Sequence, residues 1–439
     1  MTEYQSYYIV NAVHAVITSK ELIKQIAELP NVEKITPNNK IELVEPVEDD
    51  EEPETASYSV RNSIFEPDEK NIEWGVSMVH ADKVWDDFHI NGEGVTVGII
   101  DTGVNYNLPA IQKAFKGYDE STGKIDNRYY KDFIDDLPEP EASSVNDHGT
   151  HVAGIIGAKH NSYGINGVLS NCTLYGYDCL PDENQKPYMM SQSCMLYGLI
   201  ACVEKGCKVI NYSVGFSEDE KNLTDIEKYE MGNNWSKYMY IMLHRAKIRQ
   251  SGNKDDFIVV QAADGYRKNK IANIKGRDAS NTGFFACIAK ENCYHKDDIS
   301  VNDILDRILI VANAEEKKDG YILDVTSNGG EKISVSAPGD NVYSTVKDGY
   351  AMDGGTSMAA PMVAGAVAGI WSIYPEMTGA EVKNAIVETA EDKVKSNPKA
   401  PNSADNNQNI YKFLNIKKAL QYCEMKKIKE KEVAEMAEE

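Results

Sequence analysis

Positive charge is scarce in this sequence. Its 46 Lys and Arg residues are outnumbered by 69 Asp and Glu residues, which gives a formal net charge of −23 at pH 7. A chain of this charge is repelled by the phosphates of nucleic acid and by anionic membrane surfaces. We therefore expect neither nucleic acid nor a membrane among its partners. The sequence does not indicate an oligomeric state.

The sequence also lacks a secretory signal, a long apolar run and paired cysteines. Residues 1–8 have neither the basic flank nor the apolar core of a signal peptide, and no uninterrupted apolar run approaches the roughly 20 residues of a spanning helix. The eight cysteines have scattered spacings rather than the close pairs of a zinc site. Together these absences predict a cytoplasmic protein with free thiols.

What the sequence does contain divides it into four segments. Residues 1–45 alternate strand-like and amphipathic helical patterns, which predicts a small α/β unit. Residues 46–70 are acidic and proline-marked, as in an exposed linker. Residues 71–425 alternate buried-strand runs with helical patterns, which predicts an α/β domain with a mostly parallel sheet covered by helices. Residues 426–439 form a charged tail.

Ser357 stands at the start of an almost uncharged, helix-like run that ends near residue 374. Proline fits best in a first helical turn, so Pro361 predicts that the helix begins within a few residues of Ser357. A serine there lies beside unpaired backbone N–H groups and the positive end of the helix dipole, a place that suits a nucleophile whose reaction generates an oxyanion. The alternative is a packed helix of small residues with a capping serine.

Two upstream segments also carry residues of chemical interest. Asp101 follows a continuous apolar run, residues 95–100, typical of a buried strand of a parallel sheet, whose carboxyl end is where such sheets place their sites. Taken alone, the residue is better explained as a structural aspartate in a turn before Gly103. His148 and His151 begin a helical pattern and are candidate metal ligands by spacing, but the H-E-x-x-H pattern and a third ligand are missing.

The three segments together resemble the motifs of the subtilases, the subtilisin-like serine peptidases, in that family's order. The resemblance implies a catalytic triad of Asp101, His148 and Ser357, a subtilisin-like three-layer α/β fold, a peptide or protein substrate and no cofactor. It leaves His151 a packing or supporting role. It also identifies Ser213, Val214 and Gly215 as the strand whose backbone pairs with substrate.

Residues 1–45 resemble the later half of a subtilase propeptide, which acts as an inhibitor and folding aid. The first strand and helix of such a propeptide are missing here, and an unrelated N-terminal module is the alternative. In this family a linker such as residues 46–70 often carries the processing site. A permanent tether is the other interpretation of that segment.

Residues 159–168 resemble the loop that wraps a calcium ion in many subtilases, with Asn161 as its side-chain ligand. The family also places an aspartate nine residues after the catalytic one, and here that residue is Ala110. Because calcium prefers several oxygen ligands and usually carboxylates, we expect no metal at this position.

The clearest departure from the family concerns the oxyanion. The backbone N–H of Ser357 is one expected donor, but the usual second donor, an asparagine amide, is replaced in the turn Ala263, Asp264 and Gly265. Ala263 and Gly265 have no side-chain donor, and Asp264 donates only when protonated. We expect a slow peptidase, unless a nearby amide supplies the bond. The candidates are Gln261, Asn273 and Asn281.

These observations predict a serine endopeptidase that forms an acyl-enzyme. The insertions at residues 217–256 and 266–306 favour narrow access to the cleft, and hence the processing of a specific intracellular precursor peptide over general turnover. The alternative is a catalytically weak or inactive subtilase fold that acts as a peptide-binding module. A structural protein without any site leaves the three motifs unexplained.

Overall fold

The fold is known from a computed structural model. It describes residues 4–7, 10–17, 19–38, 41–43, 72–126, 130–132, 147–160, 165–179, 192–216, 223–248, 256–265, 279, 283–296, 298–317, 320–324, 327–397 and 409–438. The predicted linker, residues 46–70, lies outside these ranges.

Strands and helices alternate along most of the described chain. The strands are β1 Tyr4–Tyr7, β2 Ala12–Ala15, β3 Ile41–Leu43, β4 Thr96–Asp101, β5 Tyr118–Asp119, β6 Lys124–Ile125, β7 Tyr130–Asp132, β8 Thr173–Asp178, β9 Val209–Tyr212, β10 Val214–Phe216, β11 Ile258–Ala262, β12 Ile308–Lys317, β13 Gly320–Leu323, β14 Val335–Pro338, β15 Val342–Val346, β16 Gly349–Asp353, β17 Glu391–Lys395 and β18 Ile410–Phe413. The helices are α1 Lys20–Ala27, α2 Trp74–Met78, α3 Ala81–Asp87, α4 Asp147–Gly157, α5 Gln192–Glu204, α6 Asp225–Ile248, α7 Val301–Leu305, α8 Thr356–Ile373, α9 Gly379–Thr389 and α10 Ile416–Glu438, with a 3₁₀ turn at Gln112–Ala114.

A large sheet forms the centre of the molecule, with the strand order β13-β17-β18-β14-β12-β11-β9-β4-β8-β7. Neighbouring strands from β14 to β7 are all parallel. Antiparallel pairs join β12 to β13 and β17 to β18 toward the other edge. The prediction of a mostly parallel sheet is therefore confirmed, and the carboxyl ends of β4, β8, β9 and β11 lie along one edge.

Helices cover both faces of this sheet. Helices α4, α8, α9 and α10 contribute to the apolar core on one face, and α5 and α6 contribute to the core on the other. On β4, Ile99 belongs to the first core and Ile100 to the second, as expected because successive side chains of a strand point to opposite faces. The predicted three-layer α/β fold is confirmed.

Helix α8 runs through the first core, and its residues 356–371 are all buried. It is long and apolar enough to cross a membrane, but 89% of its 18-residue window is buried inside the protein itself. A Cβ at Gly365 would lie 2.6 Å from the Cβ of Val168, so only glycine allows this close contact. The helix begins at Thr356, which places Pro361 in the second turn and corrects the expectation of a first-turn proline.

The N-terminal residues form a hairpin, a helix and a strand. Strands β1 and β2 pair antiparallel, and the hydroxyl of Ser19 caps α1 by accepting the N–H of Leu22. Strand β3 leaves this unit and pairs antiparallel with β10 of the large domain. At the other end of the chain, α10 continues without a break across the boundary predicted at residues 425 and 426.

Candidate active site

Asp101 ends β4, and its side chain is fully buried at the carboxyl edge of the sheet. Its Oδ1 accepts hydrogen bonds from the backbone N–H of Thr102 at 2.8 Å and from the ring Nδ1 of His148 at 2.7 Å. The start of α4 lies so close to the turn after β4 that residue 149 must be glycine. A Cβ at Gly149 would lie 2.1 Å from the carbonyl oxygen of Gly103. The structure therefore brings Asp101 and His148, 47 residues apart in the chain, into direct contact.

His148 lies in the first turn of α4, and only 5% of it is exposed. The preceding Asp147 accepts the backbone N–H of Lys347 at 2.7 Å, which ties the start of α4 to the turn between β15 and β16. At the end of β16, burial raises the pKa of Asp353 to about 6, and the charge of His148 partly opposes this shift. Asp353 is thus within electrostatic reach of His148 and stands four residues before Ser357, although the sequence analysis did not single it out.

Ser357 is the second residue of α8 and is fully buried. The residue before the helix, Gly355, has φ 146° and ψ 177°, a conformation that favours glycine. The hydroxyl of Ser357 donates to the backbone carbonyl oxygen of Ser213 at 3.1 Å, and the hydroxyl of Ser213 donates to the carbonyl oxygen of Ser357 at 3.0 Å. The predicted nucleophile therefore contacts the first residue of the predicted substrate-binding strand.

That strand is already paired in this structure. Val214 lies opposite Leu43, and Gly215 lies opposite Glu42, in an antiparallel register. The backbone of Val214 and Gly215 can therefore accept an extended segment as an added strand. In this register Leu43, the last residue of β3, lies opposite the residue that follows Ser213, whose carbonyl accepts the hydroxyl of Ser357.

Comparison with known proteins decides the family. The sequence profile described as Subtilase family matches residues 92–409, which include all three segments. The chain belongs to the subtilase family. Subtilisin DY of Bacillus licheniformis is 29% identical over 322 residues, covering 73% of this chain and 92% of that protein. A Paenibacillus polymyxa protein named Intracellular serine protease is 28% identical over 296 residues, covering 67% of this chain and 71% of that protein.

A solved structure agrees with the subtilase fold. Fervidolysin from Fervidobacterium pennivorans, described as a keratinolytic enzyme related to subtilisin, aligns with a TM-score of 0.54 at 20% identity, over 88% of this chain and 51% of that chain. This likeness concerns the fold alone. The subtilase chain spans 53% and 43% of the length of two Plasmodium proteins named Subtilisin-like protease 1.

The predicted oxyanion turn, residues 263–265, is held by backbone and side-chain bonds. Asp264 has φ 62°, and its carboxylate accepts the backbone N–H of Gly265 at 2.6 Å. The side-chain amide of Asn328 donates to the carbonyl oxygen of Ala263 at 2.9 Å. Gln261, one of the proposed replacement donors, accepts the N–H of Phe285 at 3.1 Å through its amide oxygen, so its side chain lies along that segment. Asn273 and Asn281 lie outside the described residues.

Among the described residues, no group of three or more His, Cys, Asp or Glu side chains could hold a metal ion. The carbonyl oxygen of Ala110 accepts the backbone N–H of Lys159 at 2.8 Å. Asn161 lies outside the described residues, so the expected lack of a metal there stays a prediction.

His151 has a supporting role in the structure. Its Nε2 is placed to donate to the carbonyl oxygens of Val342 at 3.0 Å and Ala351 at 3.2 Å, which supports the hairpin of β15 and β16.

We predict that His151 makes the subtilase fold sensitive to acid. Burial, and to a lesser extent the charge of His148, lower the pKa of His151 to about 3. In the unfolded chain the ring protonates near pH 6.5, so the unfolded state binds more protons between pH 6.5 and 3 and stability falls as the pH drops through that window. From pH 7 to pH 5 the group should contribute a loss of about 2 kcal/mol.

The measurement is the free energy of unfolding in urea at pH 7 and pH 5. His151→Asn should be less stable than wild type at pH 7 and should lose less stability between the two pH values. The exposed residue His89 provides the matched control, His89→Asn, which should follow the wild-type pH dependence. An unchanged pH dependence in His151→Asn would contradict the prediction.

Proposed function

We propose that this chain is a serine endopeptidase whose catalytic triad is Asp101, His148 and Ser357. The buried 2.7 Å hydrogen bond between Asp101 and His148 is the observation that carries the proposal. In a subtilase, such a pair together with a serine at the start of a buried helix is suited to general-base activation of a hydroxyl.

The mechanism follows from these positions. The hydroxyl of Ser357 leaves the carbonyl of Ser213, gives its proton to Nε2 of His148 and attacks the scissile carbonyl carbon. Asp101 holds Nδ1–H of His148, fixes the tautomer and stabilises the imidazolium. The backbone N–H of Ser357 donates to the oxyanion of the tetrahedral intermediate. His148 then protonates the leaving amine, and water hydrolyses the acyl-enzyme with His148 again as the base.

No step of this reaction needs a cofactor, and a peptide or protein is the substrate. Ser213, Val214 and Gly215 would bind it as an added strand, in the manner in which β3 is bound here. We assign the reaction to the cytoplasm, since all eight cysteines lie in the described part of the chain and none forms a disulfide. A specific precursor peptide remains the proposed physiological substrate.

A fluorophosphonate probe tests the proposal directly, because it phosphonylates a serine only where a base activates it. We expect the wild-type protein to be labelled at Ser357, as located by peptide mass spectrometry, and Ser357→Ala to remain unlabelled. Ser372→Ala supplies a control serine variant on the same helix and should label as wild type does. Lack of labelling in the wild type would favour the second candidate.

That second candidate is a subtilase fold that binds peptides with little or no catalysis. It is favoured by one observation, the turn of Ala263, Asp264 and Gly265, which offers no side-chain amide to an oxyanion. A binding module would retain the strand-pairing site and would still bind extended peptides.

We further propose that residues 1–45 act as a propeptide-like inhibitor of the same cleft. Besides the pairing of β3, the side chain of Asn38 bonds both the hydroxyl and the backbone N–H of Ser193 at the start of α5. Ion pairs join Glu33 to Lys237 and Lys34 to Glu230 on α6. These contacts hold β3 over the strand that substrate would use.

We expect self-cleavage between Val44 and Asn71. This segment follows β3, whose last residue, Leu43, pairs with Val214 next to Ser213, so it is tethered to the proposed site and has a high effective concentration there. Intact mass spectrometry should show loss of an N-terminal fragment in the wild type and a full-length chain in Ser357→Ala. Adding a trace of wild-type protein to Ser357→Ala distinguishes cleavage within one chain from cleavage between chains. Full-length chain in both proteins would refute self-processing while leaving the peptidase proposal intact.

A further inference from the structure

Pro361 removes one hydrogen bond from the helix that carries the proposed nucleophile. In an α-helix, each N–H donates to the carbonyl oxygen four residues earlier, and proline has no N–H. Pro361 lies inside α8, and the residue four positions before it is Ser357. The carbonyl oxygen of Ser357 therefore cannot receive its usual helical donor.

The side chain of Ser213 takes the place of that donor. Its hydroxyl donates to the carbonyl oxygen of Ser357 at 3.0 Å, and both residues are fully buried. The side-chain amide of Asn211 donates to the same Ser213 hydroxyl oxygen at 2.9 Å. Because Asn211 already occupies the oxygen as an acceptor, the hydroxyl hydrogen of Ser213 is directed to the carbonyl of Ser357.

This arrangement joins two parts of the proposed active site. Asn211 belongs to β9 in the middle of the sheet, and Ser213 directly precedes β10, the strand on which a substrate would lie. Ser213 also accepts the hydroxyl of Ser357 at its backbone carbonyl, so two reciprocal bonds link the strand and the nucleophile. Any shift of the start of α8 along the strand would stretch both bonds.

We infer that Asn211 and Ser213 are positioning residues, whose side chains replace the donor missing at Pro361 and fix Ser357 relative to the substrate strand. This inference rests on the proposed peptidase function, because positioning matters to rate only if Ser357 reacts. Displacing a reacting group by about 1 Å lowers the reaction rate on the order of 10²-fold.

The test measures the rate of acylation by p-nitrophenyl acetate in a stopped-flow burst. Ser213→Ala should acylate about 10- to 100-fold more slowly than wild type. Asn211→Ala should show a smaller loss, since the Ser213 hydroxyl remains but is no longer oriented. The decisive variant is Ser213→Ala combined with Pro361→Ala, which returns a backbone N–H to residue 361 and should recover most of the lost rate.

Ser336→Ala is the matched control. The Ser336 hydroxyl is likewise fully buried and donates to a backbone carbonyl, that of Lys412, at 2.7 Å, on β14. This variant should lower the melting temperature about as much as Ser213→Ala without changing the acylation rate. The inference is overturned if Ser213→Ala acylates like Ser336→Ala, or if the change at Pro361 recovers nothing. A wild type that forms no acyl-enzyme overturns the peptidase proposal together with this inference.

Discussion

Ser357→Ala should abolish peptide hydrolysis while leaving the fold intact, and His148→Ala should behave in the same way. Each change removes one member of a unit that transfers a single proton, so the expected loss in kcat is about 10⁴- to 10⁶-fold, on the scale known for subtilisin. Hydrolysis of a fluorogenic peptide measures the rate, and circular dichroism and thermal melting check the fold.

The double variant makes this prediction sharper. Members of a triad act together, so Ser357→Ala combined with His148→Ala should be no slower than either single variant. Losses that multiply would show that the two residues act independently. Retained activity in either single variant would contradict the assignment of the triad.

The central layers of the fold could be predicted from local pattern. A strand buried on both faces is a continuous apolar run, and β4 and β11 are of that kind, so each was recognisable without its neighbours. The antiparallel edge was not recognisable, because β17 is the mixed segment Glu391–Lys395, which becomes a strand only through pairing with β13 and β18. Its pattern gives no local signal.

The site likewise contains contacts that local motifs predict and contacts that only the packed structure shows. The contact of Asp101 with His148 was expected because a motif order and a strand end indicated it. The bond between Ser213 and Ser357 joins residues 144 positions apart, and we infer that it replaces the N–H missing at Pro361. A sequence shows that a proline lacks a donor, but only the packed structure shows which side chain replaces it.

The second large expected effect is on the rate of acylation, and it concerns the predicted oxyanion turn, residues 263–265. Gly265→Asn should accelerate acylation by about 10²-fold, since one oxyanion donor is worth roughly 10²–10³ in kcat, a range taken from subtilisin. Aligning the strand without a gap puts Gly265 at the position of the family asparagine. Gly265 forms an antiparallel bridge with Ser327 and is only partly buried, and such a backbone accepts a side chain.

Ala263→Asn is the matched control, because the other alignment puts Ala263 at the asparagine position. Ala263 is buried in the core on the α5 and α6 face, and its carbonyl oxygen accepts the amide of Asn328. A larger polar side chain there should destabilise the protein and leave acylation unimproved.

Single-turnover acylation by an activated ester compares the two variants with wild type. A slow wild type improved only by Gly265→Asn would show that this subtilase retains its triad and one backbone donor but has lost the second. A fast wild type that neither change improves would contradict the prediction and show that another group donates. Gln261→Ala, Asn273→Ala and Asn281→Ala would then identify it. Gln261 stays among the candidates because its bond to the N–H of Phe285 uses only the amide oxygen and leaves the NH2 group to donate. The effect is expected to be large because the donor acts on charge that exists only during the reaction.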